Sequence, residues 1–523
     1  MDKKAASGSP FAISPSSWVR ILIIFQLVLL AVQFTPDLST NGDDARYYLL
    51  GKAIHDGKGF RQIQHPTMPV ENTYPAVFPL FLSFIDIFSD SILIAKIAQC
   101  ILGACVTLLA FLLFRVYSKN LLIPMVVLCA GSATLAQFST SLMSEIPYLF
   151  FSLLALYLYE MSVRDPKKAW LFWLTIVISV FPMHCRSVGL AFSASWILTT
   201  LFTKRYRYAA AHAGLLVLTV VVFHMLTSWE NSYLLQIFQK NTYDPEAGLV
   251  KSAEMVQRIF QNIQAYGSVL LQRALIPFPF AASKGLQAII TWALLVSILL
   301  GWVRSLFGSM RFLSLYVFMY FGILLMWQTQ WSSERFVAGV IPFLYFFLLF
   351  GIEGVIGLFA EQQKGTPFLA RLKNAAAAAQ RPVALSQVAV WITVVFILVC
   401  NVAFQTIYLR KTQTLGPDWK NFYSCADWMR INTPADAVVM NRKVELFYIR
   451  AKRAGVMYSY SHDVNNIMKE IDSSHVDYVV LDNFAWTATT RQYLYPVLQS
   501  FQNRFQMVYV LNNPPTAIYK VVR

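Results

Sequence analysis

Long apolar runs separated by short, mostly basic turns dominate this chain. The first spans Trp18 to Phe34. Others fall near 92–114, 121–138, 146–163, 169–183, 188–203, 208–228, 284–303, 312–330, 336–358 and 386–408. Most are long enough for a helix to cross a hydrocarbon core of ~30 Å. The pattern therefore predicts about eleven transmembrane helices. Two polar stretches interrupt it, 37–88 and 229–283. In the first, Tyr47, Leu50 and Ile54 recur at helical spacing within Asn41–Phe60. Asn41 and Gly42 suit a helix start, and Asp56-Gly57-Lys58-Gly59 marks the end. The apolar piece that closes this stretch at Phe88 is too short to span and is expected at the interface or re-entrant.

The two ends differ from the body. Residues 1–17 are polar and are expected to be disordered and cytoplasmic. Trp18–Phe34 has the form of a signal peptide, but the later runs and the missing small-x-small cleavage site favour an uncleaved signal anchor. From about 412 to 523 the pattern becomes that of a small α/β domain. Trp419–Ile431 and Val464–Ile471 carry helical spacing. Ala437–Met440 and Val476–Leu481 suit buried strands, and Gln506–Leu511 with Ala517–Val522 suits a hairpin around Asn512-Asn513-Pro514-Pro515. Residues 360–385, with an Ala run and flanking basic residues, suit a cytoplasmic surface helix.

Composition sharpens the class. The chain is 57% hydrophobic and 13% charged, which excludes an ordinary soluble domain and predicts a polytopic α-helical membrane protein. The net charge of +16 does not call for nucleic acid, because basic residues at cytoplasmic span ends produce the same balance. The six cysteines show neither disulfide nor zinc spacing. Loop charges set an orientation. With the N-terminus inside, the inner segments hold Arg115, Lys119, Arg164, Lys167, Lys168, Lys204, Arg205, Arg207, Arg304 and Arg311. The short outer turns hold only Arg186 and Arg335. The residues from 412 onward then lie outside, and the protein is expected to be a multi-pass protein of the plasma (inner) membrane.

With that orientation, the ionisable residues near span ends share one face: Asp43 and Asp44, Glu145, His184 and Arg186, Glu334 and Arg335. Charges at membrane depth are costly, which makes them candidates for function. The competing structural reading is that Glu334 and Arg335 cap their span and that His184 is a structural hydrogen-bonder. Together the set suits chemistry on an anionic lipid. Two arginines can clamp a phosphate, one carboxylate can take a proton from an attacking hydroxyl, and a second can orient the acceptor or hold a divalent metal. No other cofactor is indicated.

At these residues the chain resembles the GT-C fold glycosyltransferases, and among them the family 39 group of protein O-mannosyltransferases, the lipid A aminoarabinose transferase and bacterial relatives. Asp43-Asp44-Ala45-Arg46-Tyr47-Tyr48 is similar to the first outer loop of that group, and Tyr74-Pro75 with Pro79 to its Pro-rich end. Ser144-Glu145-Ile146-Pro147, Cys185-Arg186-Ser187-Val188-Gly189-Leu190 and Glu334-Arg335-Phe336 resemble its later motifs. The resemblance covers residues 18 to 408. It implies a polyprenyl-phosphate-linked sugar donor, a lipid, glycan or protein hydroxyl as acceptor, inversion at the anomeric carbon, and Asp43 as the catalytic carboxylate. Asp44, Glu145, Tyr47 and Tyr74 would orient the loop and acceptor. Arg186, Arg335 and His184 would face the donor phosphate, with Arg46 and Glu334 as accessory charges. The aminoarabinose transferase carries a lysine just before a Pro-Pro in this loop, where the present chain has Asn72-Thr73-Tyr74-Pro75-Ala76. Part of the phosphate clamp must then come from elsewhere, or the donor is held differently.

A transporter or flippase of envelope precursors is the competing function, followed by a non-catalytic envelope-assembly protein. No inverted repeat and no Gly/Pro-broken helix pair supports transport, and the polar residues sit in outer loops rather than mid-span. No Trp-Trp-Asp motif points to an oligosaccharyltransferase.

Overall fold

The computed structural model describes residues 14–226, 236–278, 284–308, 310–360, 384–412 and 415–523. Helix α1 (Pro15–Gln33) starts three residues ahead of the first apolar run. Pro15 fits the first turn, and the Ser14 hydroxyl accepts the Ser17 N–H at 3.2 Å. The polar stretch behind it folds as α2 (Asp43–His55) and α3 (Val77–Asp86). The body continues through α4 (Ile92–Tyr117), α5 (Leu122–Gly131), α6 (Ala133–Ser139), α7 (Glu145–Arg164), α8 (Trp170–Ser179), α9 (Phe181–Cys185), α10 (Leu190–Phe202) and α11 (Tyr206–Leu226). Four more apolar helices follow: Lys284–Leu306, Arg311–Met326, Ile341–Ala360 and Ala384–Thr412.

Among the described residues, seven helices are long and apolar enough to cross a membrane. Three of the remaining predicted spans are shorter helices: Trp170–Cys185, Ser187–Phe202 and Arg311–Met326. The last of the expected spans, 121–138, is not one straight helix. It bends by 55° between α5 and α6, where the sequence predicts a single span. Ser132 stands at the bend in extended conformation and its hydroxyl caps α6. A break inside a bilayer exposes backbone groups that lipid cannot satisfy. Side chains of Ala384–Thr412 meet them: Gln405 donates to the Gly131 carbonyl at 2.8 Å, and Asn401 accepts the Ala133 N–H at 2.8 Å. The stretch 229–283 likewise holds a helix, Ser252–Ala265, followed by a π-helical turn and the short helix Leu271–Leu275. The basic, Ala-rich piece at 360–385 lies outside the described residues from 361 to 383.

Aromatic side chains fill the body. The Trp196 ring lies edge-on to Tyr159 and Phe312, and Phe192 packs on Tyr316. Burying a tyrosine in this apolar centre requires a partner for its hydroxyl, and Tyr148 and Tyr316 supply each other's at 2.6 Å. Lipid-facing positions stay apolar: Ile24, Val32, Trp292 and Ile392 are all more than half exposed.

The C-terminal part carries a five-stranded sheet of order β2-β1-β3-β5-β4. The strands are β1 (Val439–Met440), β2 (Gly455–Val456), β3 (Tyr478–Leu481), β4 (Phe505–Leu511) and β5 (Thr516–Val521). β1 is parallel to β2 and β3; β5 is antiparallel to β3 and β4. Alternation along the strands sorts the two faces. Val439, Val480 and Ile518 pack under helices Pro417–Asn432 and Val444–Ala451, whereas Met440 and Val479 pack under Val464–Ser473 and Tyr495–Ser500. Helix Val444–Ala451 and strand β2 are additions to the pattern expected from sequence. They form part of the contact to the membrane body: Ala45 of α2 is buried with Phe422, Leu446 and Phe447, and the Gly455 N–H donates to the Gln64 carbonyl at 2.8 Å.

Helices Lys284–Leu306 and Ile341–Ala360 approach backbone to backbone. A methyl group built on Gly301 would lie 1.9 Å from the Phe347 carbonyl oxygen, and one on Gly351 would lie 1.9 Å from that of Ser297. Small residues permit this approach where apolar burial supplies no net drive. Gly351→Ala should therefore lower the thermal midpoint in detergent, because overpacking costs about 1–3 kcal/mol of stability. Gly214→Ala, with nothing within 4 Å of the added methyl, should leave it nearly unchanged. Equal midpoints for both variants would show that the two helices can separate freely.

Candidate active site

Helix α2 begins at Gly42, whose φ of 89° is the left-handed region that glycine enters without penalty. Asp43 and Asp44 follow as its first two residues, about 100° apart around the axis. Asp43 turns toward the membrane body. Its Oδ1 accepts the Tyr74 hydroxyl at 2.8 Å and its Oδ2 accepts Arg335 Nη1 at 2.7 Å. Asp44 turns away into the loop, accepting the N–H groups of Ser39 and Ala45, and is 1% exposed.

Glu145 is the first residue of α7 and is 1% exposed. A lone carboxylate at such a depth would be costly. Its Oε1 instead receives two guanidinium groups, Nη1 of Arg186 and Nε of Arg335, each at 2.5 Å. Arg186 stands in extended conformation at the break between α9 and α10. Gly189 lets that break fold tightly, since a methyl there would meet the Pro182 backbone at 2.3 Å. Arg186 Nη1 also donates to Ser144 Oγ at 3.2 Å, and Tyr47 donates to the same oxygen at 3.0 Å. The Tyr47 ring lies edge-on to Tyr74, with centroids 5.0 Å apart. The contacts close a circuit from Asp43 through Arg335, Glu145, Arg186, Ser144 and Tyr47 to Tyr74 and back. It borders a cavity of about 170 Å³ whose wall also includes Cys185, Gln236, Trp331 and Phe336.

Electrostatics divides the two aspartates. Burial opposes ionisation of Asp43, but the charge and hydrogen bond of Arg335, with the bond from Tyr74, hold its carboxyl below the usual range. Burial pushes Asp44 up to about 6 against the bonds from Ser39 and Ala45. Burial and the neighbouring Asp43 charge push the Tyr74 phenol well up, so Tyr74 is a donor.

Five of the residues singled out by sequence thus line one cavity, Asp43, Tyr47, Tyr74, Arg186 and Arg335, and Glu145 is tied to them through both arginines. His184 does not join them; its Nε2 pairs with Thr219 Oγ1 of α11 at 2.9 Å and its ring lies near Phe223. Glu334 is half-buried and absent from the cavity wall. Arg46 faces the C-terminal part, paired with Glu71 at 2.7 Å and Glu445 at 2.8 Å, and its guanidinium lies 5.3 Å from the Tyr74 ring centre. Gln236 and Trp331 had no marking pattern in the sequence, because polar and aromatic residues are common in outer loops. A divalent ion does not fit this donor set. Asp43 and Glu145 are both taken up by guanidinium groups, and no third His, Cys, Asp or Glu gathers with them among the described residues.

No protein-family model matches the chain, and no curated protein sequence does. Solved structures do match. The apo structure of ArnT from Cupriavidus metallidurans superposes with a TM-score of 0.61 at 12% identity, covering 97% of this chain and 98% of that one. The same protein bound to undecaprenyl phosphate gives a TM-score of 0.53 at 12% identity over 97% and 99%. The archaeal oligosaccharyltransferase AglB from Archaeoglobus fulgidus, in complex with an inhibitory peptide and a dolichol-phosphate, gives 0.59 at 13% identity over 97% and 74%. The chain has the GT-C fold, a polytopic helical membrane body carrying a small C-terminal α/β unit.

Proposed function

We propose that this protein is a membrane glycosyltransferase that moves a sugar from a polyprenyl-phosphate donor to an acceptor hydroxyl at the outer face of the membrane, with inversion. The observation that carries this reading is the joining of Asp43, Arg335, Glu145 and Arg186 in one ion cluster beside a cavity at the mouth of the helical body. Neighbours of the same fold bound to undecaprenyl phosphate or dolichol-phosphate support a lipid-phosphate carrier. The cell membrane and the N-inside, C-outside orientation are part of the proposal. Basic residues Arg115 and Arg164 stand at the opposite span ends from the cluster, and Arg164 donates to the Val116 carbonyl there.

In this mechanism the acceptor oxygen attacks the anomeric carbon as the bond from that carbon to the phosphate oxygen breaks. The electron pair leaves with the polyprenyl phosphate, and the acceptor proton passes to Asp43. Glu145 orients both arginines, which face the leaving phosphate. Asp43, held low by Arg335, is a weak base and acts late, as the hydroxyl acidifies in the transition state. Asp44 fixes the loop through Ser39, and Tyr74 aims the Asp43 carboxylate. The sugar and the acceptor class follow from substrate screening.

Single-turnover transfer tests the base. Asp43→Asn should slow it about 10²–10⁴-fold with donor affinity kept. Asp44→Asn should slow it far less; the reverse ranking would unseat Asp43. The base works only when ionised, so activity should fall as pH drops through its depressed pKa. The acid limb then lies below the ordinary carboxylate value of ~3.9, and Arg335→Ala should move it upward.

Donor binding tests the clamp. Arg186→Ala and Arg335→Ala should each cost about 1.5–3 kcal/mol in affinity for the lipid phosphate. Lys at either position should restore only part, because the planar fork is lost. Full affinity in both Ala variants would make the arginines structural partners of Glu145 alone.

Orientation is tested by a reporter fused after Arg523. It should report only in an export-sensing format, and a cytoplasmic signal would place the cluster on the wrong face for this chemistry.

A further inference from the structure

The ion cluster beside the cavity is balanced before any substrate arrives. Arg186 and Arg335 bring two positive charges, and Asp43 and Glu145 bring two negative ones. A polyprenyl-phosphate sugar is a phosphodiester with one negative charge, and the departing polyprenyl phosphate approaches two. Charge that develops during reaction must be met by groups already in place. Resting on the proposed donor chemistry, the geometry therefore demands a further cation.

The C-terminal unit supplies one. Lys443 precedes helix Val444–Ala451 and reaches across to the start of α2. Its Nζ donates to the Asn41 carbonyl at 2.5 Å, and a methyl built on Gly42 would lie 3.3 Å from it. Asp43 is the next residue, and the Lys443 charge acts on it. Lys443 forms no ion pair among the described residues; its ammonium lies 4.9 Å from the Trp486 ring centre. Arg46, the basic residue on α2's first turn, is already held by both Glu71 and Glu445. Arg442 is turned aside, donating to Thr489 Oγ1 at 3.0 Å and lying between Tyr460 and Trp486. Burial and the adjacent Arg442 lower the Lys443 pKa, while Asp43, Glu445 and Asp44 act against them.

We propose that Lys443, from the C-terminal unit, is the third cation of the donor-phosphate site. It replaces a basic residue that the loop Asn72–Ala76 lacks, and it makes the C-terminal unit part of the donor site rather than a cover for it. The charge of Lys443 counts most as the phosphate leaves, so its loss should lower kcat more than it raises KM.

The test compares full-length wild type, Lys443→Met, Lys443→Gln and Lys443→Arg in nanodiscs, with undecaprenyl phosphate, undecaprenol and inorganic phosphate as probes. Lys443→Met keeps most of the aliphatic stem without the ammonium, and thermal midpoints check each variant's fold. Loss of the ammonium should weaken undecaprenyl phosphate binding roughly 10- to 100-fold, the scale of a charge-assisted hydrogen bond. Undecaprenol binding should not change, and Lys443→Arg should keep most of the affinity. Inorganic phosphate should compete only weakly, because the lipid tail anchors the ligand. Unchanged undecaprenyl phosphate binding in a folded Met or Gln variant overturns the proposal. So does equal weakening for phosphate and alcohol, which would make Lys443 a latch between the C-terminal unit and α2. A wild type that does not prefer the phosphate over the alcohol would instead refute the donor chemistry on which the proposal rests.

Discussion

Everything at this mouth of the helical body hangs on a carboxylate that should not be comfortable where it is. Glu145 is almost fully buried at the first turn of a membrane helix. An isolated charge there would cost several kcal/mol. Two arginines from chain positions far apart converge on one of its oxygens. Once they do, Arg335 has an Nη left for Asp43, and the Nη1 of Arg186 that meets Glu145 also donates to Ser144. The need to neutralise one buried acid thus brings four chain segments to one point. The same arrangement leaves the cluster electroneutral, two guanidinium groups against two carboxylates.

The fold supplies rigidity where this cluster needs it. Helices Lys284–Leu306 and Ile341–Ala360 touch through glycines, and the second of them continues directly from the turn that holds Arg335. The broken helix α5–α6 is stitched by Asn401 and Gln405, so a bend that could have been a hinge is satisfied on both sides. Such satisfaction is what permits irregular backbone at membrane depth. On the opposite side, α2 lies between the membrane body and the C-terminal sheet. Its Ala45 is buried by that unit while its Asp43 faces the cavity. A helix only 13 residues long that opens with two acids would be marginal alone. Packing on two sides fixes it.

Division of labour between neighbouring acids follows from helix geometry. Asp43 and Asp44 are the same residue type one position apart, and their surroundings drive their protonation in opposite directions. One faces a guanidinium; the other faces backbone N–H groups in a dry loop. A turn of about 100° per residue is enough to separate them.

The sequence by itself determined the class, the approximate span positions and the residues of the cluster. Apolar length is a local property, and a charge beside an apolar run is visible without knowing what it meets. It also located the helices Pro417–Asn432 and Val464–Ser473 and the β4–β5 hairpin, whose periodicities are local too. Tertiary structure decided the rest. The bend at Ser132 depends on side chains about 270 positions away, and an apolar run reads the same bent or straight. His184 was removed from the cluster by a hydroxyl on α11, because a turn's neighbours do not specify which way its side chains point. Short elements such as Val444–Ala451 and β2 carry too few residues for a period to register, yet they place Lys443 at the start of α2. Pairing between distant charges is a matter of three-dimensional distance, and that is the quantity a linear sequence does not contain.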